Sequence, residues 1–398
     1  MPDEQRFPWV GLLTLAGAIF VSVTSEFLPT GLLPDMARDL DVSLSTAGLL
    51  VTVFAGTVVI ATTPLAAMTR NVSRKVIVVA VLLVIALANV LAAIAPTYEL
   101  LVGARILGGL AHGLFWAVVA AYSAHLVPPH QLGKAVAITS GGGSAAFVLG
   151  VPVGTALGHV LGWRAAFLII GGIVVVLTLV VIKYLPAVQH QVPLRTGEIA
   201  IPARRDRSLP GVIIVCAVIL LVLTAHNTFY TYITPWLVEQ AGFPPDNVAF
   251  LLFLFGGAGA VGLVIAGFTT DRFPKRGFAI AVLALMAAIT VLALLTMNQT
   301  VVTAAFVVWG VTFGGIPAML QTRMLHTASF RLRDLAAALQ TTAFNVGIGG
   351  GALLGAVVLD ATSLSTLPFA AIALFAIGLV LSVSTDALRA ARARRSML

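Results

Sequence analysis

The residue with the clearest chemical demand is Glu26, in the stretch Val23-Thr24-Ser25-Glu26-Phe27-Leu28-Pro29, because it is the only charge in an apolar run from about Trp9 to Leu33. A carboxylate in hydrocarbon is costly unless it is paired, hydrated or protonated, so such a residue is read first as functional and second as a structural hydrogen-bonding group. A carboxyl that alternates between a dry setting and a wet or cation-paired one loads and releases a proton. Arg105 is the one Lys or Arg expected inside an apolar span. It keeps its proton, so it must face a partner or water, either biasing a carboxyl or bonding backbone carbonyls. His112 lies two turns further along the same segment, as a proton relay or as a satisfied buried imidazole. Glu26, Arg105 and His112 are the candidate proton-handling set.

A second set has the types needed to orient and stack on a small ligand. His226, Asn227, Tyr230, Tyr232 and Asn345 are polar groups in apolar segments, and Phe115, Trp116, Phe229 and Trp309 carry rings; each is equally compatible with packing. Two motifs carry less. Gly257-Ala258-Gly259-Ala260-Val261-Gly262 fits the dinucleotide fingerprint but lies in an apolar run without a preceding strand or a following acid, so close helix packing is the better reading. His125 and His130 flank Pro128-Pro129 without further ligands. No metal, no cofactor and no catalytic nucleophile with a base is expected, and the lone Cys216 excludes a disulfide framework.

The elements that must position these residues follow from composition. Of 398 residues 59% are hydrophobic and only 10% charged, with mean hydropathy +1.05, far from a soluble domain. Long unbroken runs such as Val76 to Ala95 select transmembrane helices over a barrel. Twelve spans are expected, near 9–33, 46–69, 76–95, 99–124, 134–160 and 164–185, then 211–236, 247–269, 277–297, 300–322, 335–359 and 364–386. The division is 1–185 for one six-helix half, 186–210 for a cytoplasmic linker holding Arg195, Arg204, Arg205 and Arg207, and 211–398 for the second half with its basic tail. The retained first span is longer than a signal sequence and follows Asp3, Glu4 and Arg6. With both termini cytoplasmic, all of the 23 Lys and Arg except Arg38, Arg164 and Arg105 fall on that side, as the positive-inside rule requires. The net charge of +8 therefore reports topology, and no nucleic-acid partner is expected.

The halves repeat. Ala146 to Gly154 aligns with Ala343 to Gly351, and Gly158 with Gly355, at an offset of 197, while Gly109 and Gly113 align with Gly310 and Gly314 at an offset of 201. An even number of spans per half makes this a parallel repeat, for which a substrate path between the halves is the geometric expectation.

Gly267 to Arg276, with Asp271, Arg272, Lys275 and Arg276, resembles the signature between helices 8 and 9 of the major facilitator superfamily. The counterpart Ala66 to Lys75 is degenerate: Arg74 and Lys75 remain, but Arg70 stands where the acid would be. Arg105 to Gly113 is similar to the helix 4 signature of proton-coupled members, and Gly150-Val151-Pro152-Val153-Gly154 to the helix 5 signature of antiporters. Ser25-Glu26-Phe27, Ala111 to Trp116, Gly162 to Phe167 and Ala343 to Gly347 resemble the arabinose-efflux and sugar-efflux group of the drug:proton antiporters. The resemblance implies an all-α protein of two pseudo-symmetric six-helix halves in a bacterial-type inner membrane, acting as a monomer. Its implied partners are protons and a small-molecule substrate (a sugar, nucleoside or drug) exported by alternating access. Arg74, Asp271, Arg272, Lys275, Arg276, Gly150, Pro152 and Gly154 are the implied gating residues. An uncoupled facilitator is the alternative, and a non-transporting sensor is a weaker one.

Overall fold

A computed structural model describes residues 7–128, 131–186, 206, 208–270 and 272–395. Asp271, His130, Asp3, Glu4, Arg6, Arg195, Arg204, Arg205 and Arg207 lie outside the described residues, as do the side chains of His125 and Lys275. Among the described residues the chain is helical, with twelve helices long and apolar enough to cross a membrane.

The first group comprises α1 (Trp9–Asp39), α2 (Leu44–Met68), α3 (Arg74–Ile94), α4 (Tyr98–Leu126), α5 (Leu132–Ala145), α6 (Val151–Leu161) and α7 (Trp163–Tyr184). A π turn over Ala146–Gly150 joins α5 to α6 within one span. The second group comprises α8 (Leu209–Tyr230), α9 (Ile233–Glu239), α10 (Pro245–Thr269), α11 (Pro274–Leu294), α12 (Gln299–Thr327), α13 (Arg333–Ala361) and α14 (Leu367–Arg395). Two compact units result, one of Met1–Ser43 with Val53–Leu194 and one of Leu44–Thr52 with Arg195–Leu398.

Prolines decide where the expected spans bend. Pro235 has no N–H to return to the carbonyl of Thr231, and the span expected over 211–236 breaks there into α8 and α9. Pro152 is the second residue after the π turn, which absorbs an extra residue where a regular ladder would lose a donor. Pro29 and Pro34 both lie inside α1, yet the helix continues through them to Asp39. For Pro29 the reason lies in α4, where Arg105 reaches the Ser25 carbonyl.

In the first unit α1 packs on α5, α6 and α7, and α3 on α4 and α7; in the second α8 packs on α13 and α14, and α10 on α12. Glycine makes the closest approaches possible. A Cβ at Gly109 would lie 2.8 Å from the Phe54 carbonyl oxygen, and one at Gly310 would lie 2.6 Å from that of Phe255. Both partners are again 201 positions apart, so the repeated glycines serve the same backbone contact in each unit. Gly150, Gly154 and Gly158 similarly meet Thr24, Leu28 and Leu32 of α1, whereas Gly347, Gly351 and Gly355 meet Leu223, Thr224, Thr228 and Tyr232 along the α8 side.

Candidate functional site

Glu26, Arg105 and His112 come together in the first unit, all buried, at 6%, 3% and 3% exposure. The helical period places Ser22 and Glu26 on one face of α1, one turn apart, and puts Arg105 and His112 on one side of α4 two turns apart. Those two faces meet.

Arg105 does not use its fork on the Glu26 carboxyl. One guanidinium nitrogen donates to the Ser25 carbonyl at 3.0 Å and the other to the Glu26 carbonyl at 2.8 Å. The first is the oxygen that Pro29, four residues on, leaves without its helical donor. Arg105 thus supplies the missing N–H, which explains why α1 continues through Pro29 where the α8–α9 span breaks ahead of Pro235. Its plane also lies over the Phe54 ring at 4.2 Å, a cation–π contact. Of the two sequence readings of Arg105, the geometry realises the backbone one, and its charge remains beside Glu26 without a direct carboxylate contact.

The Glu26 carboxyl faces His112 instead, with Oε2 3.3 Å from Nε2. The other ring nitrogen, Nδ1, is 2.8 Å from Ser22 Oγ, and the Trp116 indole N–H donates to Nε2 at 2.8 Å. Beside this, Ser25 Oγ donates to Asn89 Oδ1 at 3.0 Å, and Asn89 anchors to the Ile85 carbonyl at 2.8 Å. Ser22, Asn89 and Phe54 were not singled out from sequence. Ser22 was within reach of such reasoning, one turn from Glu26, as was Asn89, the only polar residue between Val76 and Ala95. Phe54 gave no signal.

In the second unit His226, Tyr230, Phe255, Phe306, Trp309, Phe313 and Phe229 form one ring cluster. His226 stacks on Phe313 with centroids 3.4 Å apart, and Phe229 on Trp309 at 5.1 Å. His226 Nδ1 and Trp309 Nε1 are buried without a hydrogen-bond partner among the described residues.

The two helical groups also match one sequence profile. That of the Major Facilitator Superfamily aligns with residues 15–352, and again with 215–395. The chain belongs to the major facilitator superfamily. It is therefore a multi-pass transporter of that superfamily. A protein of Helicobacter pylori strain 26695 named "Probable sugar efflux transporter" is 29% identical over 366 residues, covering 92% of each chain. Its counterpart in strain J99 is 28% identical over the same span. Among solved structures, a bacterial homologue of the human lysosomal transporter Spinster, inward-facing and occupied, superposes with a TM-score of 0.76 at 14% identity, over 96% of this chain and 98% of that one. A human organic anion transporter gives 0.70 at 16% identity, over 96% and 100%.

The remaining candidates of this superfamily member separate by environment. Trp116 is half-buried, whereas Phe115 beneath it, Phe229 and Trp309 are fully enclosed, their rings committed to neighbouring rings. Tyr232 donates its hydroxyl to the Ala352 carbonyl at 2.9 Å, and Asn227 its amide to the Leu223 carbonyl at 2.9 Å. Asn345 is half-buried and bonds Thr341 of its own helix at 3.0 Å. Of the gating candidates, Arg74 opens α3, Arg272 and Arg276 are exposed, and Gly150, Pro152 and Gly154 are buried.

Proposed function

We propose that this superfamily member is a proton-coupled antiporter that exports a small sugar-like or drug-like compound from a bacterial-type cell, with both termini cytoplasmic. The observation that carries the reading is the Glu26 carboxyl, buried in a membrane-spanning helix and facing an imidazole rather than a guanidinium. A carboxylate there carries an insertion cost of about 2.5–3.5 kcal/mol, which protonation removes. Protonation from outside favours one access state, and proton release toward the cytoplasm accompanies export. The name of the Helicobacter relatives supports a sugar as the exported class. Half-buried Trp116 in the first unit and half-buried Asn345 in the second are each a ligand contact that this reading favours.

The test is Glu26→Gln in proteoliposomes loaded with labelled arabinose or another member of a sugar panel under an imposed pH gradient. Uphill export is lost and downhill exchange is retained. Gradient-driven export at the wild-type rate in Glu26→Gln overturns the reading. Wild-type transport that ignores the pH gradient leaves an uncoupled facilitator.

A further inference from the structure

Two groups compete for one lone pair in the Glu26 cluster. A neutral imidazole has one ring nitrogen that donates and one that accepts, and an indole N–H can only donate. With Trp116 donating to Nε2 at 2.8 Å, that nitrogen is the acceptor, so the imidazole proton sits on Nδ1 and goes to Ser22 Oγ at 2.8 Å. The 3.3 Å approach of Glu26 Oε2 to the same Nε2 is then not an ion pair. A carboxylate oxygen there would face a lone pair, whereas a protonated carboxyl faces it with O–H.

We propose that Trp116 is a positioning residue that reserves His112 Nε2 and thereby keeps the proton on Glu26. When the indole leaves, Nε2 is open: the Glu26 O–H bond breaks, the Nε2–H bond forms, and an imidazolium stands beside a carboxylate. Nδ1–H keeps its bond to Ser22 throughout, so the imidazole need not turn. Trp116 is half-buried while Glu26, His112, Ser22 and Arg105 are buried. It is thus the member of the cluster that anything entering the unit meets first.

Among the described residues, the charged and titratable neighbours do not supply another route. From α4 comes Arg105, held by carbonyls of Ser25 and Glu26. From α3 comes Asn89, which does not titrate. From Lys134 to His159, across α5, the π turn and α6, there is no titratable residue between those two, and His159 is paired with Asp35 at 3.5 Å. From α7 the titratable groups are Arg164, Lys183 and Tyr184 at its two ends, and from α2, Phe54 covers Arg105 and meets the His112 ring at 5.2 Å.

The inference rests on the proton-coupling reading above, but its test does not need transport. ¹⁵N spectra of histidine-labelled protein in detergent, with His112 assigned by difference from His112→Asn, report which ring nitrogen carries the proton. The expected wild-type result is protonated Nδ1 and bare Nε2. In Trp116→Phe, which keeps ring bulk and loses the N–H, Nε2 becomes protonated, and empty proteoliposomes carrying the variant dissipate a pH gradient faster than wild type. Wild-type His112 protonated at Nε2 alone, or a His112 signal unchanged in a folded Trp116→Phe, overturns the proposal. A Glu26→Gln protein that still couples export to protons overturns the function instead, whatever the spectra show.

Discussion

The two units use the same positions for opposite chemistry. Glycine contacts put Leu32 beside Gly158 and Tyr232 beside Gly355, an offset of 200 between α1 and the α8 side, which makes His226 the positional counterpart of Glu26. On α4 and α12 the offset is 201, which sets Arg105 against Phe306 and His112 against Phe313. The first unit thus holds a carboxyl against an imidazole and a guanidinium over Phe54. The second holds an imidazole stacked on Phe313, and Phe306 stacked at 4.8 Å on Phe255, the counterpart of Phe54. The scaffold of close helix contacts is common to both; the charge is not. A duplicated fold therefore supplies geometry to both halves while letting one carry a carboxyl and a guanidinium and the other a cluster of stacked rings.

The comparison breaks first at Glu26. If proton handling belongs to the first unit alone, Glu26→Gln lowers gradient-driven export by at least about 100-fold, the scale of a lost positioned proton-transfer group, while His226→Leu leaves the pH dependence of export unchanged. A matching loss of coupling in His226→Leu would show that the second unit also handles the proton.

The next effect concerns Arg105 and its backbone carbonyls. Arg105→Met leaves the Ser25 oxygen buried without a donor and should destabilise the purified protein by about 1–3 kcal/mol. Lysine should not rescue it, because a single ammonium does not reproduce the fork. Pro29→Ala restores the helical N–H, so the double variant Arg105→Met/Pro29→Ala should recover part of the loss, a coupling of about 0.5–3 kcal/mol in a double-mutant cycle followed by denaturant unfolding. Additive effects would mean that Arg105 does not substitute for the missing amide.

A third experiment asks whether the shared scaffold is equally strict. Gly109→Ala and Gly310→Ala each place a methyl under 3.0 Å from a backbone oxygen, and each should cost about 1–3 kcal/mol in thermal unfolding. A large difference between them would show that one unit yields where the other does not. The smallest effect is expected at Trp309→Phe, which removes an indole N–H that has no partner among the described residues; stability should stay within about 1 kcal/mol, since a buried donor left unbonded contributes nothing favourable. A larger loss would reveal a partner for that N–H.

Much of this was legible in the chain itself. The spans were, because runs of about 20 apolar residues are the bilayer's own requirement, and so was the repeat, carried by glycines that only a close contact demands. Glu26, Arg105 and His112 stood out because charge in hydrocarbon is expensive. What Arg105 bonds was hidden, since periodicity orders residues on one helix and is silent on which face of another helix meets them. Pro29 was the clue: a proline inside a helix leaves one carbonyl without a donor, and the one buried guanidinium among the described residues lies against it. Phe229 and Trp309 read as equally suited to a ligand or to packing, because a ring's composition does not say what it stacks on; here they stack on each other.

Because Arg105 is bound to carbonyls, its charge does not change with the state of Glu26. The cluster is electrically neutral once the proton has left both Glu26 and His112, and carries one positive charge while either of them holds it. A transmembrane voltage acts on the second state and not on the first, at about 2.3 kcal/mol per elementary charge for each 100 mV crossed. The guanidinium that repairs a proline gap thus also decides which protonation state the cell's electric field can move.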